Sequence, residues 1–136
     1  MGRKSLPLIG SLFIAASLLA ACGGSSDTYT IDEMADVFDS QTGLCQGIQT
    51  SPTKVTCLRE DMNYIAYAYE SEETMRKQYA EACADPPLST RVWGENWQVL
   101  DNTNRGNAEA LEYLQSLFGG EIMTLSKWCL MGDDGV

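Results

Sequence analysis

An apolar segment at the start of the chain determines which part of the sequence has to fold and in which chemical environment. Arg3 and Lys4 precede the apolar run Leu6–Ala21, and Cys22 follows that run directly. This layout is typical of a secretory signal peptide, which is removed from the mature protein. The run is shorter than the ~20 apolar residues that a membrane-spanning helix needs. We therefore expect residues 1–21 to be cleaved from a chain that folds outside the cytoplasm.

The residues around the predicted cleavage point favour lipid attachment. Bacterial lipoproteins carry Leu, two small residues and Cys at this point, and the chain reads Leu19-Ala20-Ala21-Cys22. In such proteins the thiol receives a diacylglyceryl group, and further acyl chains such as palmitate can be added. Two buried chains are enough for stable anchoring in a bilayer, because each buried methylene contributes about 0.8 kcal/mol. The sequence therefore predicts a lipid bilayer partner through acylated Cys22, on the extracytoplasmic face of the cell membrane. Ordinary cleavage after Ala21, without lipid, is the alternative.

The exported part of the chain is strongly acidic. The 136 residues contain 9 Lys and Arg and 19 Asp and Glu, for a net charge of −10. Removing the first 21 residues leaves 115 and takes away Arg3 and Lys4, so the mature chain carries −12. This length suits one domain. The acidity argues against nucleic acid as a partner, because nucleic-acid binding needs a Lys/Arg surface, and we interpret it as a source of solubility.

The chain contains no histidine. Histidine is the side chain that most often serves as a general base or a zinc ligand, and no cluster of carboxylates follows the spacing of a calcium loop. The serines also lack the sequence context of a nucleophile. The sequence therefore predicts a protein that is not an enzyme and holds no cofactor. A serine activated by Lys54, Lys77 or Lys127 is the enzymatic alternative.

Four cysteines are left once Cys22 is acylated: Cys45, Cys57, Cys83 and Cys129. An even number of cysteines in an oxidising compartment favours two disulfides, for which three connectivities exist. No two of the four have the C-x-x-C spacing of a redox or zinc motif. We favour Cys45 with Cys57, from the exit of the first helix to the first strand, and Cys83 with Cys129, from the second helix to the tail.

Hydrophobic periodicity divides the mature chain into a short polar tether at residues 22–29, a globular domain at 30–130 and a flexible tail at 131–136. The domain begins with a predicted capping box, formed by Thr30 and Glu33. The pattern then predicts helix 31–41, strands 54–59 and 63–69, a helix capped by Ser71 that stops before Asp85, strand 97–100, helix 104–118 and an edge piece at 121–125.

The order of the main elements, α-β-β-α-β-α, predicts an α+β fold. Its expected form is a small, mostly antiparallel sheet with the helices packed on one face. The segment Arg91–Trp93 is either part of one bulged strand with Trp97–Asp101 or a bent approach to that strand, and we favour the second reading. Two disulfides would stabilise such a domain by restricting its unfolded chain.

Several motifs in this chain are similar to those of small secreted lipoproteins of actinobacteria, in which a signal and a lipobox precede a compact domain. They are Leu19-Ala20-Ala21-Cys22, Val55-Thr56-Cys57 followed by residues 64–69, Gly94-Glu95-Asn96-Trp97-Gln98-Val99 and residues 117–122. The resemblance implies location and fold, and it transfers no catalytic residue.

These observations favour a non-enzymatic interaction or accessory module of the cell envelope, whose partner is an unidentified envelope protein. The alternative is a protein that binds a small ligand or an envelope polymer through exposed aromatic side chains. The predicted residues of that surface are Tyr67, Tyr69 and Trp97. Aromatic rings stack on such ligands at low entropic cost. The competing interpretation of the same rings is that they pack in the core.

Overall fold

In residues 28–103 and 107–134, which the computed structural model describes, six antiparallel strands form one sheet and five helices pack against it. The elements are α1 (Ile31–Asp39), β1 (Gly47–Thr50), β2 (Lys54–Leu58), β3 (Tyr64–Ala68), α2 (Glu72–Gln78), α3 (Ala80–Ala84), β4 (Thr90–Trp93), β5 (Trp97–Asp101), α4 (Ala108–Phe118), β6 (Glu121–Thr124) and α5 (Leu125–Asp134). The predicted signal peptide, Cys22 and the tether up to residue 27 lie outside the described residues.

The strand order across the sheet is β1-β2-β3-β5-β4-β6. The α+β class and the antiparallel sheet are confirmed, as is the β2–β3 hairpin, in which Val55 pairs with Ala66. The edge piece predicted near residues 121–125 is β6, which pairs with β4. The preference for a bent approach at Arg91–Trp93 is wrong, because Thr90–Trp93 is a strand that pairs with both β5 and β6.

Helices α1 and α4 cover one face of the sheet. The predicted capping box is present at the start of α1, where the Thr30 side chain accepts from the Glu33 amide and the Glu33 carboxylate accepts from the Thr30 amide. The apolar stripes of both helices face inward, so that side chains from helices and strands form one buried cluster. Its largest fully buried members are Met34, Phe38, Val55, Trp97, Leu114 and Phe118.

The opposite face of the sheet carries a second, smaller core beneath α2, α3 and α5. Its buried members are Met75, Trp93, Met123, Leu125, Trp128 and Cys129. The expected layout had all helices on one face, and the structure differs in this respect. The physical reason lies in strand alternation: Val92 belongs to the first cluster, and the next residue, Trp93, belongs to the second.

Both predicted disulfides are present. Cys45 and Cys57 join the segment after α1 to β2, with 5.2 Å between their Cα atoms. Cys83 and Cys129 join α3 to α5, with 5.5 Å between their Cα atoms. The second disulfide lies in the smaller core, so that it ties two of its three covering helices together.

Two helices differ from the sequence-based expectation. The helix predicted after Ser71 is interrupted at Tyr79, whose ring packs edge-on against Trp93 and Trp128. Helix α5 continues to Asp134, so most of the segment 131–136 that was expected to be a flexible tail is helical. Of the helices in the described ranges, none combines the length and the apolar composition that crossing a bilayer takes.

Candidate functional site

The structure does not bring the predicted ligand surface together. Trp97 is fully buried, in the core beneath α1 and α4. Tyr67 pairs with Gln98 across the sheet, so it lies on the face opposite Trp97, and Tyr69 lies on the same face as Tyr67. A Cβ atom on Gly94 would come within 1.9 Å of the Trp97 ring, which shows how closely that ring is enclosed. Trp97 is therefore a core residue, and the three residues do not form one aromatic surface.

Tyr69 belongs to a polar network on the second face. The Arg91 guanidinium donates to the Tyr79 hydroxyl at 2.9 Å and to the Gln98 side-chain carbonyl. The Gln98 amide in turn donates to the Tyr69 hydroxyl at 3.3 Å. Arg91 is 7% exposed and Gln98 is fully buried. All buried side-chain nitrogen and oxygen atoms of the described residues have hydrogen-bond partners, so this network is suited to holding α2 and α3 on the sheet.

Burial on this face raises the pKa of two phenols, Tyr69 and Tyr67. Burial raises the pKa of Tyr69 far above its ordinary value, and the neighbouring Tyr79 raises it further. Burial also raises the pKa of Tyr67, with a smaller upward contribution from Tyr79 and an opposing one from Arg91. Neutral phenols donate and accept hydrogen bonds without adding charge to the buried guanidinium. The Tyr69 and Tyr67 phenols are therefore neutral near neutral pH, and this arrangement stabilises the fold.

A first pocket, of about 350 Å³, lies over the second core at the end of β4. We call it the Trp93–Trp128 pocket, after the two indole rings in its lining. These rings stack at 4.4 Å with only 9° between their planes. The Arg76 guanidinium lies 3.9 Å from the Trp128 ring and donates to the Trp128 carbonyl at 2.6 Å. Exposed carboxylates line the same pocket, from Glu72 and Glu95 among others.

Two glycines lie where the chain comes very close to residues that line this pocket. Gly120 has φ +80°, and a Cβ atom there would lie 2.4 Å from the Trp93 carbonyl oxygen. Gly132 on α5 is constrained by a neighbouring side chain, because its Cβ atom would lie 2.5 Å from the Arg76 guanidinium. The close approach of β6 and α5 to Trp93 and Arg76 therefore fixes the walls of the Trp93–Trp128 pocket.

Tyr29, near the start of the described chain, lies beside this pocket. The Tyr29 amide donates to the Asn96 side-chain carbonyl at 3.0 Å, and the Asn96 side-chain amide donates to the Tyr29 carbonyl at 2.9 Å. A shallow neighbouring pocket is lined by Thr28 and Tyr29 and shares Glu72 and Glu95 with the Trp93–Trp128 pocket. Tyr29 and the Trp93–Trp128 pocket are thus at the same end of the domain.

A second, larger recess of about 530 Å³ lies at the other end of β5. We call it the Tyr64–Tyr113 groove. The Tyr64 and Tyr113 rings are 6.4 Å apart, and the Arg59 guanidinium lies 4.5 Å from the centre of the Tyr64 ring. Tyr64 is 5% exposed, whereas Tyr113 is 37% exposed. Asp61 and other polar residues complete the lining.

Sequence reasoning did not single out Tyr113. The sequence does indicate that this ring is exposed, because Tyr113 lies between Glu112 and the buried Leu114 and is therefore outside the apolar stripe of α4. No sequence pattern pointed to Arg76, whose role depends on α5 folding back over α2. In the part of the chain that the structure describes, no group of three or more Cys, Asp or Glu side chains is placed to hold a metal ion.

Comparison with known proteins adds no assignment. No protein-family model matches the chain, and neither a curated protein nor a solved structure is significantly similar to it.

Proposed function

We propose that this protein is a lipid-anchored lipoprotein on the extracytoplasmic face of the cell membrane, where it acts as a non-enzymatic interaction or accessory module of the envelope. The observation that carries the proposal is the sequence Leu19-Ala20-Ala21-Cys22 at the end of an apolar leader. Acylation of Cys22 would attach the mature amino terminus to the bilayer. The two disulfides agree with folding in an oxidising compartment.

The short tether would hold the domain close to the bilayer. Tyr29 is seven positions after Cys22, and a fully extended chain spans at most about 25 Å over seven residue steps. Tyr29 is 8% exposed and is fixed to Asn96 by two hydrogen bonds. The end of the domain that contains Tyr29 would therefore face the membrane.

The Trp93–Trp128 pocket lies at that end and is our proposed contact surface for a membrane or envelope protein. Its rim carries exposed carboxylates from Glu72, Glu95 and Glu121, of which Glu72 pairs with Arg76 at 3.5 Å. The exposed apolar side chain of Met131 adds to the same rim, at 45% exposure. An acidic rim with an apolar side chain fits a partner that presents basic and apolar groups together.

The anchor is tested in the producing cell with Cys22→Ser and, as a matched control, Ser25→Ala. We expect the native protein and Ser25→Ala to incorporate a palmitate analogue and to sediment with washed membranes. Cys22→Ser should lose the label. Mass spectrometry of the mature amino terminus should find acylated Cys22. A native protein that takes up no palmitate analogue, or a Cys22→Ser protein that is labelled like the native one, would refute the lipoprotein assignment.

The contact surface is tested with a photo-crosslinking amino acid at Met131, and at Leu88 as the control. Leu88 is more exposed, at 83%, and precedes β4 at the end away from Trp93. We expect a discrete envelope-protein adduct from position 131 that is absent from position 88 and is lost in Glu95→Lys. Equal adducts from both positions, or an adduct that survives Glu95→Lys, would contradict this surface.

A further inference from the structure

We propose that the Tyr64–Tyr113 groove binds a neutral oligosaccharide segment of an envelope polymer. The inference deepens the proposed function, because the orientation of the groove depends on the lipid anchor, whereas binding itself does not. It also replaces the aromatic surface expected from the sequence by one that the fold assembles.

The size and the wall of the groove suit a sugar. A recess of about 530 Å³ falls within the range of ~300–1,000 Å³ that is typical of small-molecule sites, and a disaccharide fits such a volume. Sugar rings have an apolar face of C–H groups that packs on an aromatic ring. Tyr113 is 37% exposed, and it projects from α4 beside the buried Tyr64 ring, so it supplies such a platform.

The polar groups of the groove suit hydroxyls rather than a strongly charged ligand. Arg59 and Asn107 carry N–H donors, and the carboxylates of Asp61 and Glu109 are acceptors. Asp61, Asn107 and Glu109 are exposed, and Arg59 is half-buried. A sugar hydroxyl both donates and accepts, so it can use both kinds of group. Among the described lining residues, one guanidinium and two carboxylates leave a net charge of −1, which disfavours an anion and attracts a cation only weakly.

The position of the groove distinguishes a polymer from a lipid. The Asp101 carboxylate accepts from the Asn107 amide at 2.8 Å, which places the groove at the end of β5 where the strand finishes. Tyr29 and Asn96 lie at the other end, where β5 begins. Strand β5 runs over four residue steps from Trp97 to Asp101, so its two ends are about 14 Å apart. With the domain anchored through Cys22, the groove would face away from the bilayer, toward the polysaccharides of the envelope.

The test is an NMR titration of the disulfide-bonded mature chain, residues 22–136 with Cys22→Ser so that no lipid is attached, after its folding has been checked by the dispersion of its amide signals. The probes are tetrasaccharides of β-1,4-linked N-acetylglucosamine, β-1,4-linked glucose and α-1,4-linked glucose. We expect saturable shifts of the Met62, Asn107 and Tyr113 amides with at least one probe. Tyr113→Ala should weaken that binding by about two- to thirteenfold, which corresponds to the ~0.5–1.5 kcal/mol of an aromatic contact.

The matched control is Glu112→Ala, which changes the neighbouring exposed position of α4 outside the groove lining. It should leave both the melting temperature and the sugar affinity unchanged. Tyr113→Ala should lower the melting temperature only modestly, because the ring is 37% exposed and the rest of it lies beside Tyr64. The absence of saturable shifts with all three probes would overturn the proposal, as would equal affinity of Tyr113→Ala and Glu112→Ala. Neither result would affect the lipid anchor, which is tested separately through Cys22.

Discussion

The side chain of Asn96 hydrogen-bonds to both backbone polar groups of Tyr29, accepting from its amide at 3.0 Å and donating to its carbonyl at 2.9 Å. The same side-chain amide donates to the Tyr69 carbonyl at 2.7 Å. One asparagine in the β4–β5 turn thus joins the start of the described chain to the segment after β3. The Tyr29 hydroxyl adds a bond to the Phe118 carbonyl at 3.1 Å.

We predict that Asn96→Ala destabilises the domain by about 2–4 kcal/mol, because it leaves several buried backbone groups without partners. Asn96 is 7% exposed and Tyr29 is 8% exposed, so water does not readily replace the lost bonds. Urea unfolding followed by tryptophan fluorescence measures the change. The control is Glu95→Ala, an exposed neighbour for which we expect a change within about 0.5 kcal/mol. Equal stabilities of the two variants would contradict the role of Asn96.

The two disulfides should differ in their contribution to stability. Cys83 and Cys129 are separated by 46 positions, whereas Cys45 and Cys57 are separated by 12. Chain entropy then predicts losses of about 4 kcal/mol and about 3 kcal/mol when each pair is replaced by alanine. Denaturant unfolding of the two double variants checks the order. A larger loss from the shorter loop would show that local packing outweighs loop entropy here.

Arg76 should stabilise the second core far more than the neighbouring Lys77. Arg76 contacts the Trp128 ring, the Trp128 carbonyl and the Glu72 carboxylate. Its replacement by alanine should cost about 1–2 kcal/mol and alter the tryptophan emission. Lys77 pairs with Glu73 at 3.6 Å, but both side chains are more than three-quarters exposed, so Lys77→Ala should cost at most about 0.5 kcal/mol. Thermal unfolding and fluorescence spectra of the two variants provide the comparison.

Stability should fall at alkaline pH. The folded pKa of Tyr69 is raised above the ordinary value of 10.0, chiefly by burial, and that of Tyr67 is also raised. The folded state therefore holds these protons more tightly than the unfolded state, so the contribution to stability is complete below about pH 10 and is lost as the pH rises above it. Urea unfolding between about pH 8 and pH 11 should show this decline.

Tyr69→Phe removes one of these phenols and should make the alkaline decline shallower. Absorbance at the phenolate band gives an independent measurement: near pH 10.5, the native protein should absorb less than the urea-unfolded protein. Equal absorbance of the two states would contradict the raised phenol pKa values.

Local chemistry made several elements predictable. The Thr30–Glu33 capping box and the apolar spacing of α1 depend on residues within a few positions of each other, and both are confirmed. The hairpin of β2 and β3 was predicted from alternation over short segments, and the helix that ends at Phe118 from its apolar stripe and the following glycines. Strand β1 was missed, because Gly47–Thr50 is too short and too polar to show alternation.

Long-range packing decided what the sequence left open. The interruption at Tyr79 follows from its contacts with Trp93 and Trp128, which lie on distant elements. Helix α5 is longer than predicted because its side chains Trp128 and Cys129 are buried in the second core. Neither fact is visible in the local pattern around those residues.

By itself, the sequence determined the α+β class and the β2–β3 hairpin, because hydrophobic periodicity is a property of neighbouring residues. It left three disulfide connectivities open, and the one that we favoured is the one that the fold forms. Only the tertiary structure decided that Trp97 lies in the core while Tyr67 faces the opposite side, and that Tyr64 and Tyr113 meet across a groove. The reason is physical: which face of a strand becomes buried depends on which helices pack there, and that choice is made by the whole chain.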